Sequence, residues 1–485
     1  MPPPTGDGFL ALPPEAVRME WFQPLNPSQQ QAVSKIVDME RSTPFLLFGP
    51  PGTGKTLTIV ESVLQLLAKF PGARVLLCAP SDQATDLLAA RLLPLLPKAL
   101  PGAGAPTLLR LNSHTRMLET MAPQLLPYSC TTPLATFKYP EVDRLLSARV
   151  VACTCVVAGL LAAKTPSVLP YHFSHILVDE SSQAMEPEIV LPMLLASPDR
   201  STTVVLCGDP NQLGGACVSH TAATRGLGVS LQERLMSSPA YFGEEPAEEP
   251  DGAGVLGSLP AGAAHNPRMM VQLVDNYRSH PAILHLSNHL FYKDTLLCAG
   301  DASKTHNLVE YGGLPAADFP LKFVGVVGVD SHLLDSPSFF NHTEVSVVAD
   351  EVEALLLSDH GVSPGDVGVI CAYRAQVLRM RKVFRRRSAV AGMNNVKICA
   401  LADYQGQEER VIFISTVLSS NSPHERVQLG DFRRFNVAMT RACALCVVVG
   451  DPWVLGKDPF WRHLLTYCAE KGAYAGVDHP AVRAG

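Results

Sequence analysis

The residues with the clearest chemical meaning form a glycine-rich loop of the sequence Gly-Pro-Pro-Gly-Thr-Gly-Lys-Thr. An apolar run at 45–48 precedes the loop, and an apolar, helix-like stretch at 57–67 follows it. A phosphate-binding P-loop requires this order of strand, loop and helix; an unrelated turn of the same sequence is the alternative. Backbone N–H groups of such a loop surround a triphosphate, while Lys55 would reach the β- and γ-phosphates and Thr56 would bind Mg²⁺. The nucleotide-binding residues predicted by this pattern are Gly49, Pro50, Pro51, Gly52, Thr53, Gly54, Lys55 and Thr56.

An acidic pair, Asp179-Glu180, ends a second apolar run at 176–178. In P-loop proteins, a carboxylate at the carboxyl end of a buried strand can hold Mg²⁺. The neighbouring Glu180 could polarise the water that attacks the terminal phosphate. Two acids on a solvated surface are the alternative, and the P-loop favours the functional interpretation.

The composition describes a large globular chain without a general polyanion-binding surface. The 485 residues, of which 47% are hydrophobic, predict about two to four domains with sizeable cores. There is no apolar stretch of about 18 residues and no signal-peptide layout, so neither a membrane span nor secretion is expected. The twelve cysteines are interpreted as reduced thiols of a cytosolic or nuclear protein. A net charge of −6 restricts nucleic-acid contacts to local surfaces, and the basic residues of 379–387 suit a phosphate patch and a solvated helix face equally well.

Alternating apolar strands and helical stretches predict an α/β fold with parallel sheets covered on both faces. This alternation occurs twice, and irregular segments flank and interrupt the two halves. The predicted divisions are a lead-in at 1–24, a first domain at 25–236 with an insertion at about 95–148, an acidic linker or loop at 237–266, a second domain at 267–472 and a tail at 473–485.

Four further polar runs lie at 208–213, 276–281, 404–408 and 434–441. Gln212 in the first run could touch the γ-phosphate and the attacking water. In the second, Tyr277 could stack on a base and Arg278 could reach a phosphate. Each run by itself is also compatible with ordinary loop chemistry. The evidence for nucleotide binding is therefore the number of these runs and their order in the chain.

Taken in order, these runs resemble the motif series of superfamily 1B helicases. The series includes Leu-Asn-Pro-Ser-Gln at 25–29, the P-loop, Ala-Pro-Ser at 79–81, Val-Asp-Glu at 178–180 and the four runs above. The resemblance is to the up-frameshift-like branch and, within it, to the Moloney leukaemia virus 10 and Armitage RNA helicases. The runs at 109–112, 228–235 and 336–341 carry that narrower match. It spans about residues 20–475.

The resemblance implies two tandem RecA-like domains with ATP and Mg²⁺ in the cleft between them. Gln29 would read the adenine edge, Tyr277 would stack on the base and Glu408 would contact the ribose. Asp179 would share the metal with Thr56.

On the phosphate side, the resemblance implies that Lys55 and Glu180 are catalytic, with Glu180 as the general base. Gln212 would sense the γ-phosphate. Arg278 and Arg441 would be arginine fingers from the second domain, because charge that grows on the transferring phosphoryl group needs donors from both sides.

The resemblance also implies single-stranded RNA as substrate, 5′-to-3′ movement and a role in RNA silencing or RNA turnover. Argonaute or other silencing and RNA-decay proteins would be partners, and the location would be the cytoplasm, including RNA granules. The predicted nucleic-acid contacts are Ser81, Asp82, Arg110, Arg116 and Thr154.

Some positions depart from the family pattern. Asp82 stands where Asn is usual, which predicts repulsion of RNA phosphates unless Asp82 only caps the next helix. Leu418 and Cys443 stand where basic residues are usual, and Ser181-Ser182 follow the acidic pair in place of smaller residues. Only a short lead-in precedes the first motif, where family members carry a β-barrel, so the expectation is a fragment or short form that unwinds duplexes poorly. Two alternatives stay open: a slow ATP-gated RNA clamp or scaffold, and a superfamily 1 DNA helicase.

Overall fold

The structure is a computed structural model, and it describes residues 20–38, 43–102, 107–165, 169, 172–241, 265–332, 336, 338–389, 392–404, 406–419 and 430–480. Most of the predicted lead-in and linker, the end of the tail and Gln405 lie outside the described residues. No helix in the described part of the chain is long and apolar enough to cross a membrane.

Seven strands form the first sheet, and every neighbouring pair is parallel. They are β1 (Phe45–Phe48), β2 (Val75–Ala79), β3 (Leu108–Arg110), β4 (Val150–Thr154), β5 (His175–Val178), β6 (Thr203–Gly208) and β7 (Met270–Gln272). Their order across the sheet is β3-β4-β2-β5-β6-β1-β7. Almost all of their residues are buried, as continuous apolar runs in a sheet covered on both faces require.

Nine helices accompany this sheet in the described residues. They are α1 (Pro27–Val37), α2 (Lys55–Lys69), α3 (Asp82–Leu92), α4 (Leu96–Ala99), α5 (Val142–Ser147), α6 (Cys155–Lys164), α7 (Glu186–Ile189), α8 (His220–Thr224) and α9 (Leu231–Met236). Apolar faces of α1, α2 and α3 pack on β1 and β2 in one core. The segment predicted as an insertion, 95–148, supplies the edge strand β3 and adds Met121, Leu125 and Phe137 to that core.

The second sheet has six strands, again all parallel. In chain order, two short strands, β8 (Asp275–Asn276) and β9 (Leu297–Cys298), pair with each other before it. The sheet contains β10 (Leu321–Gly325), β13 (Val367–Cys371), β14 (Lys397–Ala400), β15 (Glu409–Ser415), β16 (Ala442–Gly450) and β17 (Tyr474–Gly476). Their order is β14-β13-β15-β16-β10-β17, and β11 (Asp330–His332) with β12 (Phe339–Asn341) forms a separate antiparallel pair.

Helices cover the second sheet as well. They are α10 (Pro281–Tyr292), α11 (Ala302–Thr305), α12 (His342–Leu356), α13 (Arg374–Arg386), α14 (Phe432–Met439), α15 (Pro452–Leu455) and α16 (Pro459–Glu470). Two apolar clusters, one with α12 and α13 and the other with α10, α14 and α16, bury the faces of this sheet. The predicted α/β class with parallel sheets is confirmed.

The chain divides into two compact units. The first ends at Val274 and excludes Asn211–Leu213; those three residues belong with Asp275 and everything after it. The sequence places the division at the acidic linker, 237–266. In the structure β7 pairs with β1, so the first unit extends past that segment.

Candidate nucleotide and nucleic-acid sites

The glycine-rich loop lies between β1 and α2 in the first unit, and its own hydrogen bonds fix its shape. The Lys55 ammonium donates to the Gly49 carbonyl at 2.7 Å, and the Thr53 hydroxyl donates to the Pro50 carbonyl at 2.7 Å. Gly54 has a φ of +84°, and a Cβ there would lie 2.5 Å from the Gln29 amide nitrogen, so both conformation and space require glycine. The loop therefore presents the N-terminus of α2 as a preorganised anion cradle.

Thr56 and Asp179 meet beside this loop, although they are far apart in the sequence. The Thr56 hydroxyl donates to Asp179 Oδ2 at 3.3 Å. Burial raises the pKa of Asp179 to about 6, and Glu180 adds to this while Lys55 opposes it. A hydroxyl and a carboxylate are hard oxygen ligands, so this pair fits Mg²⁺.

Glu180 follows directly and adopts a left-handed conformation, with a φ of +52°. Its backbone N–H donates to Asp179 Oδ1 at 2.9 Å. A residue other than glycine in this region is strained by about 1–2 kcal/mol. Such strain persists where the surroundings hold it, and it concentrates at functional sites. The geometry is compatible with the predicted role of Glu180 as a general base.

Gln29 ties α1 to the phosphate loop. Its amide nitrogen donates to the Thr53 carbonyl at 3.0 Å, and its amide oxygen accepts the Asn26 N–H at 3.0 Å as part of a capping box. The side chain is 3% exposed. Its predicted contact with adenine stays a prediction.

A buried network that sequence reasoning missed supports the acidic pair. The Ser181 hydroxyl donates to Gln232 Oε1 at 2.6 Å, and the Ser182 hydroxyl donates to the Asp209 carbonyl at 2.9 Å. The Gln232 amide nitrogen donates in turn to the Gly208 carbonyl at 3.2 Å. The two serines, which look like departures from a pattern, thus both have partners: Ser181 pairs with Gln232 on α9, and Ser182 pairs with the backbone of Asp209 just after β6. In the sequence, the run at 228–235 marks the segment that contains Gln232. No local pattern shows that Gln232 pairs with Ser181, because the two residues are 51 positions apart.

Of the predicted nucleic-acid contacts, Ser81 and Thr154 begin helices at the carboxyl ends of the neighbouring strands β2 and β4. Ser81 accepts the Ala84 N–H at 3.2 Å, and Thr154 accepts the Val157 N–H at 3.3 Å. Ser81 is exposed, whereas Thr154 is 8% exposed. Ligands of parallel sheets bind at this edge, which is compatible with the prediction for both residues.

Asp82, Arg110 and Arg116 do meet, but they form a cluster with Asp86. Arg110 donates to Asp82 at 2.9 Å and to Asp86 at 2.8 Å, and Arg116 donates to Asp86 at 2.5 Å. The Arg110 side chain has no exposed surface and that of Arg116 is 5% exposed. The Arg110 guanidinium is therefore buried against two carboxylates, and an RNA contact by Arg110 would require this cluster to open; its predicted contact and that of Arg116 stay predictions. Asp82 is likewise ion-paired and not a bare negative charge.

In the second unit, Arg441 contacts Gln212, which belongs to the Asn211–Leu213 segment of that unit. Its guanidinium donates to Gln212 Oε1 at 3.2 Å, to Thr440 Oγ1 at 2.9 Å and to the Val437 carbonyl at 3.0 Å. Arg441 is 1% exposed and Gln212 is 4% exposed. The predicted finger and the predicted phosphate sensor are therefore held together.

Arg278 and Glu408, which the sequence assigns to phosphate and ribose, form an ion pair with each other. Arg278 also donates to the Thr440 carbonyl at 3.0 Å, which brings it to the same corner as Arg441. The neighbouring Tyr277 is 46% exposed, an unusual position for a large aromatic ring and one that suits stacking on a base. The structure thus gathers Gln212, Tyr277, Arg278, Glu408 and Arg441 into one part of the second unit.

Comparisons with known proteins match both halves of the chain. Residues 24–136 and 141–220 match one family model described as an AAA domain, and residues 261–452 match a second model with the same description. The RNA helicase Mov10l1 of Homo sapiens is 40% identical over 96% of this chain and 37% of its own length. The Gallus gallus helicase named MOV-10 is 37% identical over 95% of this chain and 48% of its own length.

A Drosophila melanogaster protein, named as a probable RNA helicase armi, is 32% identical over 96% of this chain and 40% of its own length. The chain thus spans between about a third and a half of the length of these relatives.

Proposed function

The chain belongs to the up-frameshift-like branch of the superfamily 1 helicases, and on that basis we propose that it is an ATP-dependent helicase or translocase acting on single-stranded RNA. The observation that supports this most directly is the phosphate loop, with Thr56 and Asp179 3.3 Å apart beside it. ATP hydrolysis needs a loop that binds the phosphates, ligands that hold the metal and a nearby carboxylate that accepts a proton.

In the proposed reaction, backbone N–H groups of 49–54 and the Lys55 ammonium bind the ATP phosphates. Thr56 and Asp179 would hold Mg²⁺, which neutralises charge on the phosphates when bound. Glu180 accepts a proton from the attacking water. Gln212, Arg278 and Arg441 would complete the set by stabilising charge on the transferred phosphoryl group, and Gln29, Tyr277 and Glu408 would bind the adenosine part.

On the RNA side, we propose contacts at Ser81 and Thr154, with movement from 5′ to 3′. Relatives that are named RNA helicases support RNA over DNA as the substrate. A role in RNA silencing or turnover, partners such as Argonaute or other RNA-decay proteins, and a place in cytoplasmic RNA granules are part of the same proposal. Co-purification of the chain with Argonaute in RNase-treated and untreated extracts would test the partner.

The test of the activity is an Mg²⁺-dependent ATPase assay with single-stranded RNA, single-stranded DNA or no polymer. We expect hydrolysis that RNA stimulates and that collapses in Lys55→Ala and Glu180→Gln. Lys55→Ala should weaken ATP capture, whereas Glu180→Gln should still bind a fluorescent ATP analogue. Wild-type turnover by Glu180→Gln would refute the assignment of the base, and stronger stimulation by DNA would refute RNA as the substrate.

A slower ATP-gated RNA clamp is the second candidate. The Asp82–Arg110–Asp86–Arg116 cluster favours it, since two arginines expected at the RNA are already neutralised. A clamp would bind RNA tightly with ATP yet show little RNA-stimulated turnover and no strand displacement. The same assay, run with a fluorescent duplex, separates it from a helicase.

A further inference from the structure

Helix α13 concentrates positive charge in a chain that is acidic overall. Residues 374–387 contain seven Lys and Arg residues and no Asp or Glu, whereas the whole chain has 45 acidic and 39 basic residues. The sequence left two interpretations of its C-terminal part equally open, a solvated helix face and a phosphate patch. The contacts around the helix distinguish them.

One face of α13 is fixed in the core of the second unit. Val377, Met380 and Phe384 are buried against α12 and the sheet. Because these positions recur every three or four residues, the opposite face must point outward. On that face Arg374, Arg381, Lys382, Arg385 and Arg386 are exposed.

Several basic side chains of this helix have partners that account for them. Arg387 pairs with Asp350 at 2.6 Å and with Glu353 at 2.9 Å. The Arg379 guanidinium lies 4.5 Å from the centre of the Phe340 ring, and Arg381 donates to the Ile398 carbonyl at 2.7 Å. These contacts hold the three side chains against neighbouring parts of the second unit.

Lys382, Arg385 and Arg386 differ from them. Within the described residues, none of the three has an ion pair or a side-chain hydrogen bond. Arg374 adds to them at the start of the helix, where its side chain is 80% exposed and 3.7 Å from Asp403. We call Arg374, Lys382, Arg385 and Arg386 the α13 stripe.

The α13 stripe follows the helix axis. Twelve residue steps separate its ends, which corresponds to about 18 Å, or several phosphate spacings of a nucleic-acid strand. The helix begins just after the carboxyl end of β13, the edge of the sheet where ligands bind, and the stripe continues away from that edge.

We propose that the α13 stripe binds the phosphate backbone of RNA, extending the RNA path beyond the contacts of the motif loops. This inference rests on the proposed function, which supplies the RNA. Three of the four side chains are arginines, whose planar guanidinium matches phosphate oxygens. A membrane surface fits less well, because Leu378 is the one large apolar residue of α13 that is exposed, and membrane-bound helices need a broad apolar face. The stripe consists of charged side chains that would contact phosphates, and phosphate contacts carry no sequence information. We therefore expect that its binding does not depend on the RNA sequence.

The test replaces Lys382, Arg385 and Arg386 together by Gln in the full chain. Binding of a fluorescent single-stranded RNA is measured without ATP from about 50 to about 200 mM salt. Three lost phosphate contacts should lower the slope of log K against log salt by about 2, since each contributes about 0.7 on single strands. The affinity deficit of the variant should then shrink about 20-fold across this range.

A matched control removes the same charge elsewhere. Lys98, Lys304 and Lys471 are exposed and scattered over both units, and their joint replacement by Gln changes the net charge equally. This control should keep the wild-type slope. A wild-type slope in the α13 variant, or an equal loss in both variants, would overturn the inference.

Thermal melting of both variants guards against unfolding as the cause of a changed slope. If a fluorescent poly-glutamate bound the wild type but not the α13 variant, and the RNA slopes of the two proteins were equal, the stripe would serve an acidic protein and the inference would be wrong. Absence of RNA binding by the wild type would overturn the proposed function and this inference with it. Wild-type RNA binding with an unchanged variant would overturn the inference alone.

Discussion

Arg441 is the most fully engaged of the side chains expected to act on ATP. It donates to Gln212, Thr440 and Val437 and is almost fully buried. Arg278 sits beside it with an 11% exposed side chain and pairs with Glu408. The resemblance implies catalytic roles for both arginines, but only Arg441 is also almost fully buried in the interior of the second unit.

Replacement of the two arginines should therefore have different consequences. We expect Arg278→Ala and Arg441→Ala each to lower kcat by about 10³ or more with smaller changes in ATP affinity. Only Arg441→Ala should also lower the melting temperature clearly, because buried acceptors left without a donor cost about 1–3 kcal/mol. ATPase kinetics and thermal melting of both variants measure this. Near-normal turnover in Arg278→Ala would remove it from the catalytic set.

The Asp82 cluster changes the expectation for that residue. The sequence predicts that Asp82 repels RNA, yet its carboxylate accepts from Arg110 at 2.9 Å and lies 3.5 Å from Arg116. Its side chain is 37% exposed, so the pair is partly screened by solvent.

We expect Asp82→Asn to lower the melting temperature by about 2–4 °C, corresponding to about 1 kcal/mol, because the buried Arg110 guanidinium loses one of its two carboxylate partners. RNA affinity should change less than threefold at low salt. Asp86→Asn is the matched comparison and should destabilise more, since Asp86 is 12% exposed and pairs with both arginines. A large gain in RNA affinity without destabilisation would restore the repulsion hypothesis.

At the scale of elements, the sequence predicted best where the signal is local. The phosphate loop was predictable because a strand, the glycines and the start of α2 are contiguous in the chain. The strands β2, β4, β5 and β6 were predictable because a buried parallel strand is a continuous apolar run. In contrast, β7 has three residues, and only its pairing with β1 makes it part of the first sheet. No short-range pattern carries that information.

The segment after β15 is another element that sequence reasoning did not resolve. Val417 has a φ of +75°, which is unfavourable for a β-branched residue. Glu344, on α12, holds it in place: its carboxylate accepts the Val417 N–H at 2.9 Å and the Ser415 hydroxyl at 2.6 Å. Burial raises the pKa of Glu344 to about 8, against the opposing effect of these donors.

This raised pKa has a defined consequence for stability. An acid whose pKa is higher in the folded than in the unfolded state stabilises the fold below its ordinary pKa of 4.5, and that contribution is lost as the pH rises through about 8. Glu344→Gln removes the titration, so its melting temperature should match the wild type near pH 5 and exceed it by a few degrees near pH 8. Melting curves of both proteins across this range test it.

The exposed Glu310 supplies the control, because Glu310→Gln removes a carboxylate without altering this segment. Its melting temperature should follow the wild type at every pH. A constant difference between Glu344→Gln and the wild type from pH 5 to pH 8 would show that Glu344 is charged throughout.

At the scale of the whole molecule, two α/β units were predictable from two alternations of strands and helices. Which residues belong to which unit was not fully predictable. Asn211–Leu213 belongs to the second unit although both flanks belong to the first, because Asn211 donates to the Phe291 carbonyl and accepts from Asn436. Those partners lie 80 and 225 residues away, so the sequence around residue 211 does not reveal these hydrogen bonds.

Each unit has its own parallel sheet and core, so the proposed division of labour can be tested by separation. A chain of residues 20–274 contains the phosphate loop, Thr56, Asp179 and Glu180 but lacks Tyr277, Arg278 and Arg441. We expect it to fold and to bind Mg²⁺-ATP, more weakly than the full chain because the stacking ring is missing. Its turnover should be lower by about 10³ or more, since no arginine from the second unit can stabilise the transferred phosphoryl group.

The measurement pairs ATP-analogue binding with hydrolysis, in the fragment and in the full chain, after circular dichroism has verified that the fragment is folded. Lys55→Ala within the fragment is the control: it should abolish the remaining binding, which identifies the phosphate loop as its source. Hydrolysis by the folded fragment at the rate of the full chain would contradict the proposal, because Glu180 and the metal ligands alone would then suffice. A folded fragment that binds no ATP would instead place an essential part of the nucleotide site among residues 275–485.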